Sequence, residues 1–215
     1  MRKQTLPFLL IALALAAVAL IWIAPAAPLN VQAAQDNQPV YNAKGHLQLP
    51  SNYREWIYLS TGIDMNYIPN ANQAAGHSMF DNVFVNPEAW RSFQSTGTWP
   101  DKTILVLEVR GASSEGSINH SGHYQSTDQM GLEVHIKDTQ RFPAAQFPGG
   151  WAFFSFDDGG NDGQLFPPKA NCYTCHQQHA AVDNTFVQFY PTLLPLATSR
   201  HTLSPAYLAE EAARH

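Results

Sequence analysis

Both cysteines of the chain fall in one short stretch, Cys172-Tyr173-Thr174-Cys175-His176. Two thiols three positions apart, with a histidine directly after the second, form the attachment pattern of a c-type haem. On one helical turn the two sulfurs reach the two vinyl groups of one porphyrin, and the adjacent imidazole is directed at the iron as an axial ligand. The pattern predicts one covalently attached haem c, with Cys172, Cys175 and His176 binding the cofactor and His176 ligating the metal.

Three other uses of the same residues are weaker. A structural zinc on Cys172, Cys175, His176 and His179 would crowd four ligands into eight residues, whereas zinc sites usually place their ligand pairs on separated elements. A thioredoxin-type dithiol starts a helix inside a βαβ unit, but here the segment follows an aromatic stretch through a Pro-rich loop. A disulfide across two residues closes almost no loop and constrains little.

The opposite face of the iron decides the chemistry. A methionine there makes an electron carrier, and an open position makes a gas-binding or catalytic centre. Candidates are Met65, Met79 and Met130, and His77, His120, His123, His135 and His179. An apolar wall is available in Phe80, Phe84, Trp151, Phe153, Phe154, Phe156, Phe186, Phe189 and Tyr190. Glu108 shares one side of its strand with Ile104 and Val106. It is the candidate catalytic residue: either it points into the pocket, where desolvation raises its pKa toward proton transfer, or it is an edge or strand-end carboxylate in solvent. His77 or His120 is the alternative proton carrier.

The elements that position these residues follow from periodicity. Asn52 and Glu55 have capping-box spacing ahead of Tyr53, Trp56 and Ile57, which predicts a first helix ended by Gly62. MFDNVFVN (79–86) alternates as a strand. Asn86-Pro87-Glu88 then reads as a helix start, with Asn86 as cap, Trp90 and Phe93 on the apolar face, and Gly97 as the stop. Residues 103–110, 132–138 and 151–157 read as three further strands. The Gly/Ser-rich stretch 111–129 reads as a long loop or a hairpin with a mobile tip between the first two, a solvated connection rather than a lid over the iron, and 157–163 reads as a turn cluster. SPAYLAEEAAR (204–214) has a Ser cap and a Pro at the first helical position of a terminal helix. The later connections are too short for crossover helices. The expected fold is therefore α+β: a mainly antiparallel β-sheet with packed helices and a C-terminal haem-attachment segment.

Composition agrees with one folded core of 215 residues, 45% hydrophobic and 13% charged,. Arg2 and Lys3 precede a continuously apolar stretch, and Val31-Gln32-Ala33 offers a small-residue exit, so residues 1–33 read as a secretory signal. The segment is either cut after Ala33 or retained as a membrane tether, since Leu6 to Ala24 approaches the roughly 20 residues that span a bilayer. Either outcome places the protein outside the cytoplasm, in the periplasm or beyond. Cleavage takes two of the 12 basic side chains, leaving 10 against 17 acidic ones, and moves the formal charge from -5 to -7. This balance, without any Lys/Arg run, excludes nucleic acid as a partner. Residues 34–50 read as a flexible, exposed lead-in, 51–200 as the haem domain and 201–215 as a tail helix.

FDNVFVNPEAWRSF, WPDKTILVLEVRG, VHIKDTQRF, GGWAFFSF and the late CYTCH together resemble cytochrome P460 and its relative cytochrome c'-beta, over residues 52–194. The resemblance implies a β-rich homodimer with one haem, held by Cys172 and Cys175 and ligated by His176. It also implies an open opposite face that binds nitric oxide or, in the P460 enzymes, oxidises hydroxylamine, with a redox partner protein. Those enzymes carry a lysine bonded to the haem edge, on the strand after a motif like Trp99-Pro100-Asp101. Here that strand has no lysine, and Leu107 or Glu108 stands at about its position. Lys102 lies in the preceding turn and Lys137 on another strand.

Overall fold

The computed structural model describes residues 37–67, 78–114, 116–156 and 159–214. The expected signal segment and His77 lie outside the described residues. All the elements below belong to one compact unit, Ala34–His215.

Seven strands form one antiparallel sheet: β1 (Leu47–Gln48), β2 (Ile57–Ile63), β3 (Met79–Val85), β4 (Ile104–Ser113), β5 (Tyr124–Lys137), β6 (Trp151–Ser155) and β7 (Asp162–Leu165). Their order across the sheet is β1-β7-β6-β5-β4-β3-β2, and every neighbouring pair is antiparallel. Among the described residues four helices accompany it: α1 (Pro87–Thr96), α2 (Asn171–His179), α3 (Leu194–Ser199) and α4 (Pro205–Ala212). The architecture is α+β with a mainly antiparallel sheet. Among the described residues no helix is long and apolar enough to cross a membrane.

The sheet is apolar on both faces because both are covered. On one face, Ile104, Val106, Val134, Ile136 and Phe154 join Tyr53, Trp56 and Phe142 in a buried cluster. On the other, Val85 and Leu105 join Phe93 of α1, Trp99, Trp151, Leu193 and Ala197. Burying each such side chain contributes roughly 1.5–3 kcal/mol. These two clusters account for the strands' near-continuous hydrophobicity, which alternation alone would halve.

Several local expectations change. Residues 53–55 make a single 3₁₀ turn, and Trp56 leads at once into β2, whose pairing with β3 overrides the helical spacing of Tyr53 and Trp56. Gly62 lies inside that strand. The described part of the expected exposed lead-in is tied to the sheet: Leu47 is fully buried and pairs with Gly163 of β7. β7 itself has a polar sequence, DGQL, and begins within the expected turn region. Stretch 111–129 is strand at both ends and closes as a hairpin, since β4 runs on to Ser113 and β5 begins at Tyr124.

The first full helix starts and stops where its sequence suggests. Pro87 occupies the first turn, and Gly97 closes α1 at φ 76°, its N–H donating to the Phe93 carbonyl at 2.8 Å,. Asn86 does not cap α1 with its side chain. Its Oδ1 instead accepts the N–H of Ile104 at 2.9 Å, tying the helix entry to β4. At α4 the Ser204 hydroxyl does cap, accepting from the N–H of Tyr207.

Candidate functional site

Two cross-strand rows on one face of the sheet build a floor. Ser60, Val83, Leu107 and Glu133 are successive partners from β2 to β5, and Val85, Leu105, His135 and Phe153 are successive partners from β3 to β6. Directly paired residues point to the same side. From these rows Ser60, Val83, Leu107, Glu133, Leu105, His135 and Phe153 line a cavity of about 480 Å³. Met65, Tyr67, Met79 and Asp81 extend the lining, and Cys172, Cys175, His176, Phe186, Phe189 and Tyr190 complete it. Its size lies within the ~300–1,000 Å³ of small-molecule and cofactor sites.

α2 presents its chemistry through helical spacing. Cys172, Cys175 and His176 stand at i, i+3 and i+4, so all three share one face,. Tyr173 flanks that face and is buried outside the cavity lining. Its hydroxyl accepts the Phe153 N–H at 3.2 Å and donates to the Phe166 carbonyl at 3.1 Å, pinning α2 to β6. Both cysteines are free thiols. Burial raises the pKa of each above the ordinary thiol value, so neither is the acidic thiolate that thioredoxin-type exchange requires,.

His176 is held as a metal ligand is held. Its Nδ1 lies 2.9 Å from the carbonyl oxygen of Asn184, which makes Nδ1 the protonated nitrogen and leaves Nε2 with the lone pair,. Burial pushes its pKa down to about 4, keeping the ring neutral. Phe186 packs on it at 4.1 Å between ring centroids, and Phe153 and His135 meet it edge-on at 4.7 and 5.0 Å. His135 is itself buried, stacked on Phe153 at 3.8 Å. Its pKa is lowered by that burial and by the charge His176 would carry.

Glu108 is not at the cavity. It pairs with Asn82 and Leu132, one residue out of step with the floor, so it emerges on the opposite face. There it is buried and bonded to Tyr53, Arg54 and Arg110. Burial alone would raise its pKa, but hydrogen bonds from Arg110 and Tyr53 and the charges of Arg110 and Arg54 outweigh it and hold the carboxyl low. A carboxylate fixed as an anion away from the cavity is not the expected proton donor. The acids at the cavity are Asp81 and Glu133. Burial, then repulsion from Asp64, raises Asp81 above the usual carboxylate range.

The remaining candidates sort by place. Phe153, Phe186, Phe189 and Tyr190 line the cavity, whereas Phe154 and Phe156 belong to the core on the other side. Met65 and Met79 line it, and Met130 is half exposed outside it. His120 and His123 are not at the cavity, and His179 pairs with Glu210 of α4 at 3.0 Å. Among the described residues no three His, Cys, Asp or Glu gather as a bound metal ion would need, against the zinc reading. Nor does any lysine line the cavity among them: Lys102 pairs with Asp138 and Lys137 with Asp183. Leu107 alone of the two expected positions faces in.

Two thiols, a tautomer-fixed imidazole and a ring-lined cavity fit a haem. The cytochrome P460 family model matches residues 50–187, well over half of the chain. The chain belongs to the cytochrome P460 family. It is a c-type haem cytochrome of the P460 type. No individual curated protein matches it significantly. Within this P460 cytochrome the match ends at residue 187, just short of the cavity residues Phe189 and Tyr190, and the helices α3 and α4 follow it.

Proposed function

We propose that this protein is an exported, homodimeric cytochrome with one covalent haem c that binds a small nitrogen oxide species, nitric oxide or hydroxylamine, on the iron face opposite His176. Cys172 and Cys175 would bond the haem, and Nε2 of His176 would ligate its iron. The observation that carries this reading is the His176 Nδ1 contact with the Asn184 carbonyl inside a cavity shared with both thiols.

When bound, the haem supplies a redox-active iron that coordinates the ligand and exchanges electrons with a partner protein. The chain supplies the rest. Phe153, Phe186, Phe189 and Tyr190 exclude water from the cavity and favour a small, weakly polar ligand,. Glu133 and Asp81 supply carboxyl groups at the cavity wall. Asp81, held toward its protonated form, suits proton donation, and Glu133 suits proton acceptance from a nitrogen-bound hydrogen,. Oxidation of hydroxylamine releases protons as well as electrons, so an acceptor at the wall assists it.

Titration of the ferrous protein with nitric oxide and of the ferric protein with hydroxylamine tests the reading. Saturable shifts of the haem absorption bands are expected with both, and a spectrum unmoved by either overturns it. Met65 and Met79 at the cavity favour a second reading, an electron carrier with a thioether as sixth ligand. Under that reading Met65→Ala or Met79→Ala converts a ligand-resistant spectrum into a ligand-responsive one.

A further inference from the structure

The carbonyl that holds His176 belongs to a turn tethered by several hydrogen bonds. Val182 and Thr185 bridge each other, the Thr185 N–H donating to the Val182 carbonyl at 2.8 Å. The two central residues, Asp183 and Asn184, sit at φ 47° and 57°. Positive φ at both central positions is what a type I′ turn demands, and Asp and Asn are the non-glycine residues that tolerate it. Thr185 is fully buried; its Oγ1 donates to the Val182 carbonyl and accepts Trp99 Nε1–H, both at 2.7 Å.

The turn is clamped from the sheet by one cation. Lys137, at the end of β5, donates through Nζ to Asp183 Oδ2 at 2.6 Å and to the Trp99 carbonyl at 2.8 Å. The side chains of Lys137 and Asp183 are 17% and 23% exposed, so the pair is shielded far more than a surface salt bridge,. Trp151 Nε1–H adds a bond to Asp183 Oδ1 at 3.3 Å, and Asn184 Nδ2–H donates to the Pro148 carbonyl at 3.1 Å. Every tether on the turn thus fixes where the Asn184 carbonyl points.

The geometry points to Lys137 as a positioning residue for the iron ligand, acting through Asp183 and the Asn184 carbonyl on His176 Nδ1–H. This inference rests on the haem reading above. A carbonyl held at 2.9 Å draws the Nδ1 proton and increases the basicity of Nε2,. The more basic ligand favours ferric over ferrous iron and strengthens the iron–histidine bond. Releasing the turn weakens that hydrogen bond without touching any residue at the cofactor.

Gly149 gives independent access to the same bond. At φ 66° its added Cβ would stand 2.5 Å from Asn184 Nδ2, so an alanine there displaces the Asn184 side chain from its bond to the Pro148 carbonyl.

The test compares wild type with Lys137→Met, Lys137→Arg, Asp183→Asn and Gly149→Ala as full-length, haem-loaded proteins. The iron–histidine stretching band of the ferrous protein and the midpoint potential are read for each. In Lys137→Met, Asp183→Asn and Gly149→Ala the band is expected to move to lower frequency and the potential to rise, and Lys137→Arg is expected to restore both. Unchanged band and potential in variants that hold one haem overturn the positioning role and leave the haem reading standing. If Lys137→Met fails to fold, Asp183→Asn and Gly149→Ala carry the same comparison. A wild type without covalent haem in the pyridine haemochrome assay overturns both.

Discussion

Leu107 and Glu133 stand opposite each other across the β4–β5 ladder, and both line the cavity. β4 carries no lysine, and Leu107, one of the two positions at about which the resemblance implies a crosslinking one, is aliphatic. The reduced protein is therefore expected to show an ordinary c-type absorption spectrum, without the red-shifted band of crosslinked relatives. A red-shifted band would place a crosslink from another residue.

Glu133 is expected to matter for proton removal and little for gas binding. Glu133→Gln should lower hydroxylamine oxidation about 100-fold, the low end for loss of a general base. Nitric oxide affinity should stay within a few-fold. Steady-state turnover with an electron acceptor, beside a nitric oxide titration, separates the two effects. Equal losses in both would assign Glu133 to the shape of the cavity.

Glu108 carries stability. Replacing a buried, doubly salt-bridged carboxylate leaves Arg110 and Tyr53 short of a partner. Glu108→Gln should cost about 2 kcal/mol, since Arg54 is half exposed and recovers water,. The folded pKa lies below the ordinary value of 4.5. The contribution is thus present above pH 4.5 and is lost as pH falls through the folded value. Urea midpoints of the two proteins should differ at pH 7 and converge at lower pH. A constant gap would assign the loss to packing.

His179 is a surface partner of Glu210, not an iron ligand. His179→Ala should leave the haem spectrum unchanged and cost no more than about 0.5 kcal/mol,. A changed spectrum would return His179 to the cofactor.

Gly97→Ala should destabilise by about 1–2 kcal/mol, the cost of a side chain in the left-handed region. Its Cβ would also approach Arg200 Cβ to 2.8 Å. Thermal denaturation should show a drop of a few degrees with the haem spectrum intact.

What was legible in the sequence was local in origin. The shared face of Cys172, Cys175 and His176 follows from motif spacing, and the bounds of α1 from Pro87 and Gly97. Glu108 marks the limit. Alternation correctly puts it beside Ile104 and Val106, which are fully buried, but a sheet covered on both faces does not say which face holds the cavity. β7 gave no signal because DGQL forms by completing the hydrogen bonds of its neighbours. Residues 52–57 misled because a 3₁₀ turn and a helix share the same first steps, and only the distant β3 decides between them. The Asn184 carbonyl had no side-chain signature at all.

The pairing of Leu47 with Gly163 sets an order of assembly. A chain made from its N-terminus presents β2 to β6 first, and its β1 edge waits for residues more than a hundred positions later. The helix with both thiols emerges after the sheet is complete in sequence, and the helix that packs behind it comes last of all. In chain order, every strand of the cavity floor thus precedes the helix that carries both thiols.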